Sequence, residues 1–230
     1  MNISVIIPVY SEEKYVAEII NRVNKIDIDK EIIVVNDGST DRSLEIIKNI
    51  KINNLKIIDK EKNNGKGYAI KSALKYVTKE IVIIQDADLE YDPIDYYKLV
   101  EPFKEKNISI VYGSRFLNKK IFILKKGVNY NFRALVNIGL TKIFNILNNQ
   151  KITDLHTCYK AFNSRIIPQL KLIENGFSFC PEFSTKISNL GYRIYEVPIS
   201  YKPRSKSEGK KISFIDGFHA IRTLVKFRFF

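Results

Sequence analysis

The sequence contains no tryptophan, one methionine, two cysteines and two histidines in 230 residues. Cys158 and Cys180 lack the repeated spacing of a zinc site and are too few for a disulfide scaffold, so they read as reduced, structural thiols. His156 and His219 have no partner at metal-ligand spacing and read as structural too. No apolar run reaches the roughly 18 residues of a membrane span. Met1-Asn2-Ile3-Ser4 leads straight into a strand, without the basic start and cleavage site of a secretory signal. These absences predict cytoplasmic residence. With neither internal repeat nor low-complexity linker, residues 1–230 read as one domain.

Acidic residues are also scarce, but only in the second half. Residues 113–230 hold 6 Asp and Glu against 21 Lys and Arg, whereas residues 1–112 hold 19 against 17. The halves therefore carry formal charges of +15 and −2, which together give the net +13. A basic half of this kind favours phosphates, nucleic acid or an anionic membrane face. A nucleic-acid-binding protein would set basic and aromatic residues on one face without ordered carboxylates. The carboxylates described below count against that class, so no nucleic-acid partner is expected.

What the chain does have is a regular alternation of short apolar runs and amphipathic stretches. Strands are expected at Ser4–Pro8, Glu31–Val35, Leu55–Ile58, Ile81–Ile84 and Ile108–Tyr112. Helices are expected at Glu12–Lys25, from Asp41 to about Ile50, from Gly67 to about Val77, and at Ile94–Lys104. Alternating β and α elements with short connections predict an α/β fold, a Rossmann-like, mostly parallel sheet flanked by helices. Beyond Gly113 the pattern loosens. It predicts helices at Phe132–Leu147, Pro181–Leu190 and Ser213–Arg228, and strands at Cys158–Phe162 and Arg193–Val197.

The most informative segment is Asp86-Ala87-Asp88-Leu89-Glu90, which follows the apolar run Ile81–Ile84. Carboxylates at i and i+2 then lie at the carboxyl end of a strand, where open α/β sheets bind ligands. Adjacent carboxylates repel unless a cation lies between them. Hard oxygen donors suit Mg²⁺ or Mn²⁺, ions that also take phosphate oxygens. The competing reading is an acidic turn.

Similar segments close the other strands. They are Ile6-Ile7-Pro8-Val9-Tyr10-Ser11-Glu12, Val34-Val35-Asn36-Asp37-Gly38-Ser39-Thr40-Asp41, Asn64-Gly65-Lys66-Gly67 and Gly113-Ser114-Arg115. Pro8 and Tyr10 can flank a planar base, although Tyr10 reads equally well as core. Glu12 and Asp37 can accept hydrogen bonds from ribose hydroxyls or a base N–H, with helix capping the alternative for Asp37. Gly65 and Gly67 let backbone approach a ligand at a helix N-terminus, and Lys66 adds a cation. Arg115 can grip a phosphate bidentately.

The order and spacing of these segments over roughly residues 3–116 resemble the inverting family 2 glycosyltransferases of the GT-A fold. Asp154-Leu155-His156-Thr157-Cys158-Tyr159-Lys160-Ala161-Phe162 is similar to the Asp-x-x-Ser/Thr-Gly-Phe-Lys segment of dolichyl-phosphate mannose synthases and bacterial polyprenyl-phosphate glycosyltransferases. Here Cys158 and Tyr159 replace the usual Gly and Phe, and Glu90 stands where those synthases often have Gln. The resemblance implies a nucleotide-sugar half at 1–116 and an acceptor-side half at 117–230. It implies nucleoside contacts for Glu12 and Asp37, and Asp86 on ribose or on a metal-bound water. Asp88 is then the direct metal ligand, with Glu90 a third. The donor would be a GDP- or UDP-linked sugar, and the acceptor a polyprenyl phosphate.

A phosphate acceptor needs a basic cluster, and Arg133, Arg204, Lys210 and Lys211 supply candidates. Its nucleophilic oxygen is already anionic near neutral pH, so alignment and electrostatic stabilisation suffice. A glycan hydroxyl acceptor would instead need a carboxylate base. Asp154 and Glu182 are the candidates, each reading equally well as a structural residue. Residues 204–211 read as a loop that closes over substrate or as a solvated basic loop. In Ser213–Arg228, Phe214, Phe218, Ile221 and Val225 form one stripe, with Arg222, Lys226 and Arg228 away from it. The stripe fits either a membrane interface or the core. Lys119–Lys126, an apolar knot between lysine pairs, is a second candidate for peripheral contact with an anionic bilayer.

Overall fold

A computed structural model describes residues 1–117, 128–204 and 214–230. Side chains are described from 134 in the helix that opens at 128 and from 217 in the helix that opens at 214. The elements in chain order are β1 (Asn2–Val9), α1 (Val16–Asn24), β2 (Asp29–Asp37), α2 (Ser43–Asn49), β3 (Leu55–Lys60), α3 (Lys66–Leu74), β4 (Ile81–Ile84) and α4 (Tyr96–Val100). They continue with β5 (Ile110–Ser114), α5 (Val128–Asn148), β6 (Lys160–Asn163), α6 (Phe179–Asn189), β7 (Tyr195–Pro198) and α7 (Phe214–Phe229). The strands form one sheet in the order β3-β2-β1-β4-β6-β5-β7.

The apolar runs become strands because both sheet faces are covered. Val5–Ile7, Ile32–Val35, Ile81–Ile84 and Ile110–Tyr112 are buried along their length. Parallel strands buried on both faces favour such continuous Val and Ile runs. β1 pairs in parallel with β2 and β4, and β2 with β3, so the carboxyl ends of these strands face one crevice.

Three features differ from the sequence expectation. The first helix begins at Val16, not at Glu12, because Glu12 O accepts from both Tyr15 N–H and Val16 N–H at 2.9 Å in a preceding turn. The expected helix 94–104 is divided into the 3₁₀ turn Pro93–Asp95, α4 and the 3₁₀ turn Glu101–Lys104. Pro102 lacks the N–H that a continuous helix needs at that position. Finally, β6 lies between β4 and β5, antiparallel to both. That insertion matters for function, because it carries the loop 154–158 between the end of β4 and the end of β5.

The loop is pinned from below. The buried ammonium of Lys160 donates to Leu155 O at 3.0 Å and to Thr157 O at 2.6 Å. Thr157 Oγ1 donates to Gly113 O at 2.5 Å, and Cys158 N–H donates to the Tyr91 hydroxyl at 3.1 Å.

Candidate active site

The carboxyl ends of β1, β2 and β4 carry the carboxylates, and each has found a cation or N–H donors. Asp37, 2% exposed at the end of β2, accepts from Gly65 N–H at 2.8 Å and from Asn64 N–H at 3.2 Å. It thereby fastens the glycine loop after β3 to the sheet. Gly65 has φ +100°, and a Cβ on it would meet Asn175 O at 2.6 Å. A Cβ on Gly67 would meet Glu174 O at 2.6 Å. The close approach these glycines permit is thus by the chain's own loop 173–176. Asn175 O also accepts from Tyr68 N–H at 3.0 Å, within the first turn of α3. The free helix N-terminus expected from the sequence is therefore partly filled by that carbonyl.

Lys66, the first residue of α3, reaches across to Asp86 Oδ1 at 2.5 Å. Burial works against the ammonium, but the Asp86 carboxylate outweighs it and holds Lys66 well above its ordinary value. Burial likewise opposes the Asp86 carboxylate, and Lys66 more than compensates, so Asp86 titrates below its usual range. Asp88 has the opposite balance. Burial, then the neighbouring Asp86 and Glu90 carboxylates, push it up to about 7, against the pull of Arg204. Leu89 between them has φ +59°, uncommon for a residue with a Cβ, and Glu90 N–H turns back to Asp88 Oδ1 at 3.1 Å.

Arg204 is placed differently from the acceptor-phosphate expectation. Its guanidinium bridges Glu12 and Asp88, each at 2.9 Å. It also lies 5.5 Å from the Tyr15 ring centroid. Glu90 accepts from Arg204 N–H at 2.6 Å and from the Tyr201 hydroxyl at 2.8 Å. Pro8 and Tyr10 are half-buried where β1 ends, beside the same crevice. Arg133 falls in α5 with its side chain outside the described residues, and Lys210, Lys211 and the segment 119–126 lie outside them as well.

Among the described residues, no three His, Cys, Asp or Glu side chains are gathered as a metal-holding group. Asp86 pairs with Lys66, Asp88 with Arg204, and Glu90 accepts from Tyr201. The donor set still fits a hard cation. It offers carboxylate oxygens only, and Asp88, raised first by burial and then by the Asp86 and Glu90 carboxylates, would be stabilised as the anion by an added cation.

A second cluster lies at the end of β5. Arg115 donates to Asp154 through Nε at 2.6 Å, Nη2 at 2.7 Å and the backbone N–H at 3.1 Å. Asn137 of α5 adds a bond to Asp154 Oδ1 at 2.8 Å. Asp154 is 0% exposed, and although burial opposes its charge, Arg115 holds its carboxyl below the usual range. In this arrangement Asp154 is poorly suited to act as a general base, since a carboxylate bonded on both oxygens and stabilised as the anion is a poor proton acceptor. Glu182 is spoken for in the same way. It accepts from Ile173 N–H at 2.7 Å, Glu174 N–H at 2.8 Å and Lys186 Nζ at 2.6 Å, and so secures the loop that covers α3.

Because Asn137 uses its amide nitrogen on Asp154, its oxygen faces His156 Nδ1 at 3.0 Å, and the imidazole donates there. Burial and then nearby Lys160 hold His156 down to about 4, so it is neutral near pH 7. Asn137 and Tyr201 were not singled out in the sequence. Asn137 is one polar residue inside an amphipathic helix and gives no local signal. Tyr201, two residues before Pro203-Arg204, sets its ring 5.0 Å from the Arg115 guanidinium and 5.2 Å from the Tyr91 ring, joining the two clusters.

Residues 4–170 match the family described as Glycosyl transferase family 2. An uncharacterized protein of Methanocaldococcus jannaschii is 30% identical, with 99% of this chain and 93% of that protein aligned. A dolichyl-phosphate beta-glucosyltransferase of Trichomonas vaginalis is 26% identical over 99% of this chain and 73% of its own. A dolichol-phosphate mannosyltransferase of Pyrococcus furiosus is 27% identical over 91% of this chain and 59% of its own. Among solved structures, glucosyl-3-phosphoglycerate synthase from Mycobacterium tuberculosis, in complex with Mn²⁺, UDP and phosphoglyceric acid, superposes with a TM-score of 0.73 at 17% identity. That superposition covers 99% of this chain and 78% of that one. The mostly parallel sheet, the carboxylates at its strand ends and the match across most of the chain have one reading: this chain belongs to glycosyl transferase family 2 and is a glycosyltransferase of the GT-A fold.

Proposed function

We propose that the enzyme transfers a sugar, with inversion, from a nucleoside diphosphate to a polyprenyl phosphate. The observation that carries this reading is the state of the two candidate bases. Asp154 and Glu182 are both 0% exposed and saturated by N–H and cationic donors. A hydroxyl acceptor needs a carboxylate to take its proton, for which these two are poorly suited, whereas a phosphate monoester attacks as the anion it already is. Two relatives named for dolichyl or dolichol phosphate point the same way.

In this reading Pro8, Tyr10, Glu12, Asp37, Gly65 and Lys66 shape the nucleotide side of the crevice, and Asp86, Asp88 and Glu90 would hold Mg²⁺ or Mn²⁺. When bound, the ion would offset charge on the departing nucleoside diphosphate. Arg115, fixed in orientation by Asp154, is assigned in this reading to the acceptor phosphate. Of the stripe on α7, Phe218 is 81% exposed and Ile221 and Val225 are each 40% exposed. We assign that face to peripheral contact with the bilayer that holds the acceptor.

The test is to incubate the protein with Mn²⁺ and a panel of GDP- and UDP-sugars, adding polyprenyl phosphate, the corresponding polyprenol or a glycan. A glycolipid found by mass only with the phosphate is the expected result. Transfer to the glycan or to polyprenol, with none to the phosphate, would overturn the assignment.

A further inference from the structure

The segment Tyr201–Arg204 lies across the donor carboxylates as a clasp. Lys202 N–H donates to Glu90 O at 2.9 Å, Arg204 N–H to Glu90 Oε1 at 2.6 Å and the Tyr201 hydroxyl to Glu90 Oε2 at 2.8 Å. One residue earlier, Ser200 N–H donates to buried Asp95 at 2.7 Å. From this clasp the Arg204 guanidinium projects inward. Nη1 donates to Glu12 Oε2 at 2.9 Å, and Nη2 to Asp88 Oδ2 at 2.9 Å and Glu12 Oε1 at 3.3 Å. The side chains involved are only 12–15% exposed.

A guanidinium here meets a need that the acidic sequence creates. Three carboxylates within five residues, at 86, 88 and 90, need positive charge nearby, and Lys66 serves only Asp86 directly. Arg204 serves Asp88, and a divalent ion would seek the same oxygen. Arginine does not give up its proton at any working pH, so it cannot yield by becoming neutral. Two cations at one carboxylate oxygen repel in a poorly hydrated site.

We propose that Arg204 is the resident cation of the donor site, and that a divalent ion enters by exchange, displacing the guanidinium from Asp88 and loosening residues 201–204. This rests on the reading of Asp88 as a metal-binding residue. Arg204 is then a positioning residue that keeps the carboxylates ordered until the ion arrives. Because coupling is reciprocal, whatever the ion does to the clasp, the clasp does to the ion's affinity.

The experiment measures Mn²⁺ binding to the full chain by electron paramagnetic resonance, without sugar nucleotide. Arg204→Gln is expected to bind Mn²⁺ at least about tenfold more tightly than wild type, since the competing charge is gone. Glu12→Gln weakens the guanidinium's second anchor without touching Asp88, and is expected to tighten binding less. In wild type, Mn²⁺ is expected to speed hydrogen exchange at the amides of Lys202 and Arg204, a readout that needs no variant. If binding does not depend on Asp88, tested by Asp88→Asn, the metal-site reading itself fails. If binding depends on Asp88 but Arg204→Gln and Glu12→Gln bind no more tightly and exchange does not quicken, the exchange proposal is overturned while the metal site stands.

Discussion

At the scale of single residues, the site separates carboxylates held firmly as anions from one that burial and like charge push toward protonation. Asp86 and Asp154 are held below their usual range by Lys66 and Arg115, whereas Asp88, although paired with Arg204, is pushed up to about 7 by burial and then by Asp86 and Glu90. Asp88→Asn should therefore lower turnover at least ~100-fold, the scale of losing one preorganised charge-stabilising group. Its melting temperature should change little, because relief from Asp86 and Glu90 offsets the lost Arg204 pair. Normal metal-dependent turnover in that variant would remove Asp88 from the mechanism. Asp154→Asn tests the opposite case. It strands a buried guanidinium, so it should destabilise by about 3–5 kcal/mol, and the apolar pair Arg115→Met with Asp154→Leu should regain much of that loss. A fully stable but inactive Asp154→Asn protein would restore the base reading.

His156 supplies a pH dependence. Its folded value of about 4 lies below the ordinary 6.5, so the unfolded chain takes up the proton first on acidification. The sign follows: more protons on the unfolded state means that stability falls as pH drops from about 6.5 to about 4. Thermal unfolding of wild type minus His156→Gln across that window isolates this slope from those of the carboxylates. A flat difference would mean that His156 is solvated in the folded protein.

At the scale of elements, the first half was readable because local pattern and packing agree there. Each of β1 to β5 is an apolar run bounded by turn residues, and each expected motif did land at a strand's carboxyl end. The antiparallel β6 was not readable as such, since Lys160-Ala161-Phe162 has the composition of a short strand but nothing in it states direction or neighbours. The pairing of Arg115 with Asp154, 39 residues apart, follows from that insertion. The glycines were read as points where backbone approaches a ligand, but in the structure what approaches is loop 173–176, which only tertiary structure reveals. Gly67→Ala tests this directly. Its Cβ would meet Glu174 O at 2.6 Å and Phe179 Cβ at 2.9 Å, so the variant should lose about 1–3 kcal/mol by overpacking. Urea unfolding with no loss would show that the loop yields freely.

At the scale of the whole molecule, the excess positive charge and most of the exposed large apolar side chains among the described residues fall in the second half. No helix among the described residues is long and apolar enough to cross a membrane. Yet α7 shows Phe218 at 81%, Phe229 at 63% and Phe230 fully exposed, and α5 beside it shows Leu135 at 62% and Ile146 at 81%. The sequence left open whether the α7 stripe faces the core. Ala220, Thr223 and Leu224 face inward, whereas Phe218, Ile221 and Val225 are exposed. Arg222 and Arg228 are exposed on the same helix, and each basic side chain near an anionic leaflet contributes about 1 kcal/mol, screened by salt. The protein should therefore co-sediment with vesicles rich in anionic lipid, bind poorly to neutral ones and release as salt rises. Phe218→Ser with Phe229→Ser should weaken binding without unfolding the protein, because neither side chain is buried. Phe227 is the wrong site for that purpose, since its ring lies under Lys186 at 4.3 Å and packs inward. If wild type ignores anionic vesicles at low salt while remaining active on polyprenyl phosphate in detergent, the exposed face does not serve the bilayer. If the double variant binds as wild type does, attachment lies elsewhere in the basic half.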